Sequence, residues 1–431
     1  MHYYNFTELK HLLAQTSEYG NLLTEYGLNE EMKKSALNLE AEIKKTLEEF
    51  KRLAEKNEET DAEPGDYAAV KKLCEGGNIP RKPDKLREKM EGAVLGRFIG
   101  CTLGAPVESW SISDMEQLAE YCGMPFPPTD YWTVADRPWD VRYDADKRYM
   151  YTRDKMDGVP VDDDVTYTIL GMLIVEKYGF DFTTEDVAEL WLELLPMACT
   201  AEDVALKNLK EGIPANKAGL INNPFCQWIG AAIRADGFAF AAAGNPELAA
   251  SMGYRDAFLT HRRNGIYGEM FWAAAEAAAF IVDDPVEALI MGLKEIPKMC
   301  TLYKDIEWAL DKGKSITGFK EARKLTDERF AGMHAVHTNN NAALTVFSLM
   351  LGKGDFTSTI SNIIAMGLDN DCTGATAGSI MGAVAGKKGI EEHWYKNFNN
   401  KVRTYINGMP EFSVDDVVNR FVKLAEKQPG R

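Results

Sequence analysis

The stretch Gly367-Leu368-Asp369-Asn370-Asp371-Cys372-Thr373-Gly374 carries more chemistry than any other in this chain. Asp369 and Asp371 stand at i and i+2 in a turn, so both carboxylates can point to one side. Asn370 between them suits a tight bend. A second acidic run, Asp162-Asp163-Asp164, lies some two hundred residues upstream and opens a helical pattern after Pro160-Val161. One aspartate there reads as a helix cap, because its oxygen accepts the unpaired backbone N–H groups. Three exceed what capping needs, and neighbouring carboxylates repel unless a cation lies between them. Two acidic helix openings in one chain therefore suggest a shared cation site. Oxygen-only ligation is the preference of Mg²⁺, Mn²⁺ or Ca²⁺. Zinc is disfavoured, since the six histidines are scattered and show no His/Cys ligand spacing.

The elements that must position these residues are helical. Gly374, Ala375, Ala377, Gly378, Gly382, Ala383, Ala385 and Gly386 follow the second cluster, and a helix this small can be buried deep in a bundle. Its acidic opening would then lie inside the fold, where carboxylates need compensation. Gly92, Gly96, Gly100 and Gly104 recur every four residues and line one face of another helix. A glycine stripe costs helix propensity, and is tolerable where another backbone approaches closely. That helix runs out in Gly104-Ala105-Pro106-Val107-Glu108. Taken alone, Glu108 reads as a surface glutamate.

The remainder reads as helices at 164–178, 184–211, 225–242, 246–258, 265–283, 285–293, 302–312, 318–325, 339–352, 355–366, 373–387, 390–406 and 413–427. Sustained strand alternation is absent, so the expected fold class is all-α. Residues 1–57 read as two or three amphipathic helices, with Leu37, Leu39, Ile43, Leu47, Phe50 and Leu53 at helical spacing. Glu58 to Asp66 reads as a linker. Residues 1–80 are thus expected to form an N-terminal helical extension, for packing or oligomerisation, and 81–431 the main domain. Residues 124–160 form a long loop rich in proline and aromatics, among them Tyr131, Trp132, Trp139, Tyr143 and Tyr151. Such a loop is either a wall or lid for a ligand or ordinary surface packing.

Bulk properties bound the partners. The chain has 431 residues and a net charge of −17, from 49 basic and 66 acidic side chains. That field disfavours nucleic acid and anionic membranes, and favours a bound cation. No run of 18 or more apolar residues suggests a membrane span. The seven cysteines show no C-x-x-C spacing, and the N-terminus lacks signal-peptide character. Together these predict reduced thiols in a cytoplasm. The oligomeric state stays open.

Read together and in order, Gly92 to Glu108, then Asp162-Asp163-Asp164, then Gly367 to Gly374, resemble the ADP-ribosylglycohydrolase family over about residues 86–410. Val336-His337-Thr338-Asn339-Asn340-Asn341-Ala342 resembles a segment typical of bacterial members. The resemblance implies an all-α orthogonal helical bundle around two divalent cations, Mg²⁺ or Mn²⁺. It also implies cleavage at C1″ of an ADP-ribose joined to arginine, serine or a related acceptor. The implied metal ligands are Asp162, Asp163, Asp164, Asp369 and Asp371. Thr373 adds a hydroxyl if the helix start shifts. The implied catalytic glutamate is Glu108, and the implied substrate-pocket histidine is His261, in Thr260-His261. Three departures stand out. Asp162 and Cys372 each replace a threonine, and Cys101 stands where many members carry aspartate. A hydrolase of another ribosyl small molecule or nucleoside, and a non-catalytic ADP-ribose-binding module, are the alternative readings.

Overall fold

The computed structural model describes residues 3–133 and 149–429. Trp139 and Tyr143 of the expected aromatic loop lie outside those residues.

The architecture is all-α. Its centre is an antiparallel pair of helices, Leu86–Gly104 and Asn370–Ala385. Neither shows a clear apolar stripe, because both are buried nearly all round. What sets their pairing is the absence of side chains. A methyl group at Gly92, Gly96 or Gly100 would overlap the carbonyl of Gly382, Gly378 or Gly374, respectively. The two glycine rows mesh in antiparallel register, backbone on backbone. Around this pair pack Asp163–Tyr178, Ala235–Ala241, Asn264–Ala279, Thr338–Gly352 and Phe356–Met366.

Three expected helices differ. The 184–211 helix is two helices, Thr184–Leu194 and Thr200–Lys210. Pro196 pushes Leu195 into extended conformation (φ −95°, ψ 114°) and ends the first. In 225–242, the helix begins as a 3₁₀ turn, Ile229–Arg234, and becomes α only at Ala235–Ala241. The 390–406 segment is not a helix. It holds two short 3₁₀ turns and then a strand, Lys401–Arg403, which pairs antiparallel with Glu411–Ser413. Asn399 and Asn400 both take positive φ, which breaks helical continuation before the strand.

The expected extension, residues 1–80, holds three helices: Thr7–Glu25 and Asn29–Glu55 bury no residue, and Tyr67–Leu73 buries Val70. The expected linker is pinned instead. Glu63 is buried and accepts from the Thr301 amide (2.8 Å), the Thr301 hydroxyl (2.7 Å) and Asn264 (3.1 Å), and it pairs with Arg263. Tyr131 and Trp132 are core residues. Their polar atoms donate to the Trp394 carbonyl (2.8 Å) and the Leu103 carbonyl (3.0 Å). Among the described residues, no helix is long and apolar enough to cross a membrane.

Candidate active site

The glycine pair brings the distant acidic motifs together. Because its helices run antiparallel, the C-terminal end of Leu86–Gly104 meets the N-terminal end of Asn370–Ala385. A side chain at Gly104 would strike the backbone of Asn370 and Asp371. One 3₁₀ turn, Ala105–Val107, then delivers Glu108. The next residue ties the two loops, since the Ser109 N–H donates to the Leu368 carbonyl at 2.8 Å. Gly367 (φ 70°) and Leu368 (φ 64°) make the turn before Asp369. For leucine this left-handed conformation costs on the order of 1 kcal/mol, so the surroundings must hold it. One holder is Asn341, whose side-chain oxygen accepts from the Asp369 N–H at 3.3 Å.

The upstream motif arrives on the helix Asp163–Tyr178. Asp162 is its N-cap, extended at φ −152°, and accepts from the Asp164 N–H at 3.1 Å. Asp164 points inward and is wholly buried. Its Oδ1 accepts from Arg97 at 2.7 Å, and its Oδ2 accepts from the Cys372 thiol at 3.1 Å. Asp163 is half-buried, and its charge is felt by Glu108, Asp162, Asp164 and Asp371.

Three groups of side chains have donor atoms lying within 4.8 Å of one another: Glu108–Asp369–Asp371, Asp164–Asp371–Cys372 and Cys101–Asp162–Asp164. Burial and mutual repulsion dominate their titration. Asp371 is pushed up to about 7, by burial first and then by Asp164. Asp164 also rises to about 7, chiefly by burial, although Arg97 pulls the other way. Burial and then neighbouring carboxylates push Asp162 and Asp369 well above the usual range. Glu108 stands at the exposed rim with its carboxyl turned to the cluster, and Asp371 is the first cause of its rise to about 7. Such carboxyls are uncomfortable as anions without a cation.

The donor chemistry suits a hard divalent ion. Glu108, Asp369 and Asp371 offer oxygen alone. Asp371 Oδ1 is buried with no hydrogen-bond partner. Among the described residues, no lysine, arginine or histidine pairs with any of the three. These residues would hold the ion.

Two expected site residues have other partners. The Thr373 hydroxyl donates to the Asp369 carbonyl at 2.9 Å, one turn back in a helix that begins at Asn370. Its proton is spent on the backbone. His261 is fully buried with Nδ1 2.6 Å from the Thr260 hydroxyl, and among the described residues it makes no hydrogen bond to the acidic cluster. It belongs to a buried network around Arg234, which reaches Thr260 (2.9 Å), Glu202 (2.6 Å) and Asp256. Burial, then Arg234, holds the ring well below its ordinary pKa and so neutral. Sequence reasoning gave no role to Arg97 or to the Asn341 side chain. The signal for Arg97 was available, as an arginine inside a row of glycines has to be paired when the row is buried.

Fold and site together define an all-α fold, with one short strand pair, and a carboxylate cluster between two buried helix openings. The sequence profile of the ADP-ribosylglycohydrolase family matches residues 82–428, and the chain belongs to that family. Among the solved structures it matches is a chain described as an ADP-ribosylglycohydrolase-related protein complex. The TM-score is 0.52 at 18% identity, over 79% of this chain and 98% of that one. At that identity the likeness speaks for the fold alone. No curated protein matches. Family membership supports hydrolysis of ADP-ribosyl compounds as the class of activity.

Proposed function

We propose that this protein hydrolyses the C1″ glycosidic bond of an ADP-ribosylated substrate, with Mg²⁺ or Mn²⁺ held by the acidic cluster. The observation that carries the reading is the all-oxygen triad Glu108–Asp369–Asp371, whose Asp371 keeps a buried Oδ1 without a hydrogen-bond partner. Asp162, Asp163 and Asp164 close the cluster from the other helix opening. A bound divalent ion would orient vicinal ribose hydroxyls and offset charge beside an oxocarbenium-like centre.

The protein's own groups do the rest. Glu108, at the rim, exchanges a proton with the leaving group or with the attacking water. A carboxylate has two oxygens, so one directed into the cluster leaves the other for proton transfer. The backbone of Asp369 is held by Asn341 and the Leu368 turn, so the point from which its carboxylate reaches is set before substrate arrives. Residues 1–57 stand outside this catalytic unit.

The test is release of free ADP-ribose, followed by chromatography. ADP-ribosyl-arginine, ADP-ribosyl-serine peptide, O-acetyl-ADP-ribose and simple nucleosides are assayed side by side, with Mn²⁺ and with chelator. Turnover of one ADP-ribosyl compound that chelator abolishes is the expected result. Turnover of nucleosides alone moves the leaving group to a base. Tight ADP-ribose binding with no product from any of them replaces the enzyme with a binding module.

A further inference from the structure

We propose that the site takes one hard divalent cation, at Glu108, Asp369 and Asp371, and that the Arg97 guanidinium permanently fills the place of a second. The inference rests on the metal-dependent reading above and deepens it by setting the ion count.

Each of the three convergent groups contains aspartate, but only one is free of sulfur. Cys101 completes one of the others and Cys372 the remaining one. Thiol sulfur is a poor ligand for Mg²⁺ or Mn²⁺. Both thiol-containing groups depend on Asp164, and Asp164 is already taken. Its Oδ1 receives Arg97 at 2.7 Å, its Oδ2 receives the Cys372 thiol at 3.1 Å, and its backbone carbonyl receives Arg97 twice, at 3.0 and 3.3 Å. Asp162 spends one oxygen on the Asp164 N–H.

Arg97 cannot leave. It is fully buried, and the Ile233 carbonyl accepts from it at 2.7 Å. On the far side Asp236 holds its other nitrogen at 3.0 Å, and Ser379 in turn donates to Asp236. A guanidinium so fixed repels any metal ion seated against Asp164. It cannot be deprotonated under working conditions, so the repulsion is permanent. The Glu108–Asp369–Asp371 triad has no such internal cation. Asp371 is only 6% exposed, its carboxylate belongs to the group, and its Oδ1 has no hydrogen-bond partner.

The deciding experiment counts ions on the full chain. Metal-free protein is titrated with Mn²⁺, bound metal is measured by equilibrium dialysis, and the frozen sample is examined by electron paramagnetic resonance. The expected result is one tight Mn²⁺ per chain with the spectrum of an isolated ion. Asp369→Asn should remove that signal with helical circular dichroism unchanged. Cys372→Thr should leave the count at one, because Arg97 still holds Asp164. Two tight ions with an exchange-coupled spectrum would overturn the inference and leave the metal-dependent reading standing. No bound ion would overturn both. A count that rises to two in Cys372→Thr would assign the exclusion to the thiol and overturn the role given to Arg97. Retention of the single ion in Asp369→Asn would overturn its placement.

Discussion

The hairpin at the start of the chain and the glycine pair at its centre are built by opposite rules. In the hairpin, Leu37, Leu39, Ile43, Leu47, Phe50 and Leu53 repeat at helical spacing, yet all remain exposed. In the central pair there is little amphipathic pattern, yet almost every residue is buried. Apolar periodicity tells that a face wants a partner, and says nothing of whether this chain supplies one. Glycine periodicity tells that a backbone approaches, and two matching rows in one chain name each other. The candidate site follows the second rule, since Glu108 and Asp369 sit at the ends of the meshed helices.

That contrast can be broken most sharply at Gly100. Gly100→Leu would drive a side chain into the Gly374 backbone, where no rotamer offers escape. Overpacking costs about 1–3 kcal/mol where neighbours can adjust, and here they cannot. We expect no cooperative thermal transition. Leu37→Ala in the hairpin should instead shift stability by less than about 0.5 kcal/mol, as exposed positions do. Equal losses would erase the distinction.

The next effect lies at the junction. Asp371→Ala should abolish Mn²⁺ binding and reduce ADP-ribose release by at least about 10³-fold, on the scale of losing a preorganised electrostatic contact. Its helical circular dichroism should match the parent. Retained turnover would count against the site. Glu108→Gln should be milder, with Mn²⁺ affinity weakened but present and turnover lowered about 10²-fold or more, the range of a lost acid–base group.

A pH effect of smaller size separates the cluster from the rest. Asp164, Asp371 and Glu108 are each raised to about 7 in the folded, metal-free chain. Between the ordinary carboxyl range and pH 7 the folded state therefore holds protons that the unfolded state has released. Stability should fall as pH rises through that window. Melting in chelator at pH 5 and pH 8 tests the sign, and Mn²⁺ should restore the loss at pH 8. A melting temperature that climbs with pH in chelator would contradict the electrostatics. The smallest change is expected from deleting residues 1–57. Neither hairpin helix buries a residue, so the melting temperature of the remainder should move by no more than about 2 °C.

Much of the candidate site was legible because its signals are local. Asp162 caps a helix, Asp369 and Asp371 open another, and the spacing of Gly92 to Gly104 marks a face. The breaks were less legible. Pro196 splits one expected helix, which is a local rule available in advance. The strand at Lys401–Arg403 depends on pairing with Glu411–Ser413, and pairing between segments has no local signature.

By itself, the order of residues determined an all-α chain, two acidic helix openings, and two glycine rows able to let backbones touch. Those follow from periodicity, capping and side-chain volume, which act over a few residues. Only the tertiary structure decided that the rows mesh antiparallel, that Arg97 ends against Asp164, and that His261 joins the buried Arg234 network. Such choices are made by burial. A charged or polar group taken from water must find a partner wherever the packed chain provides one, however far away in sequence.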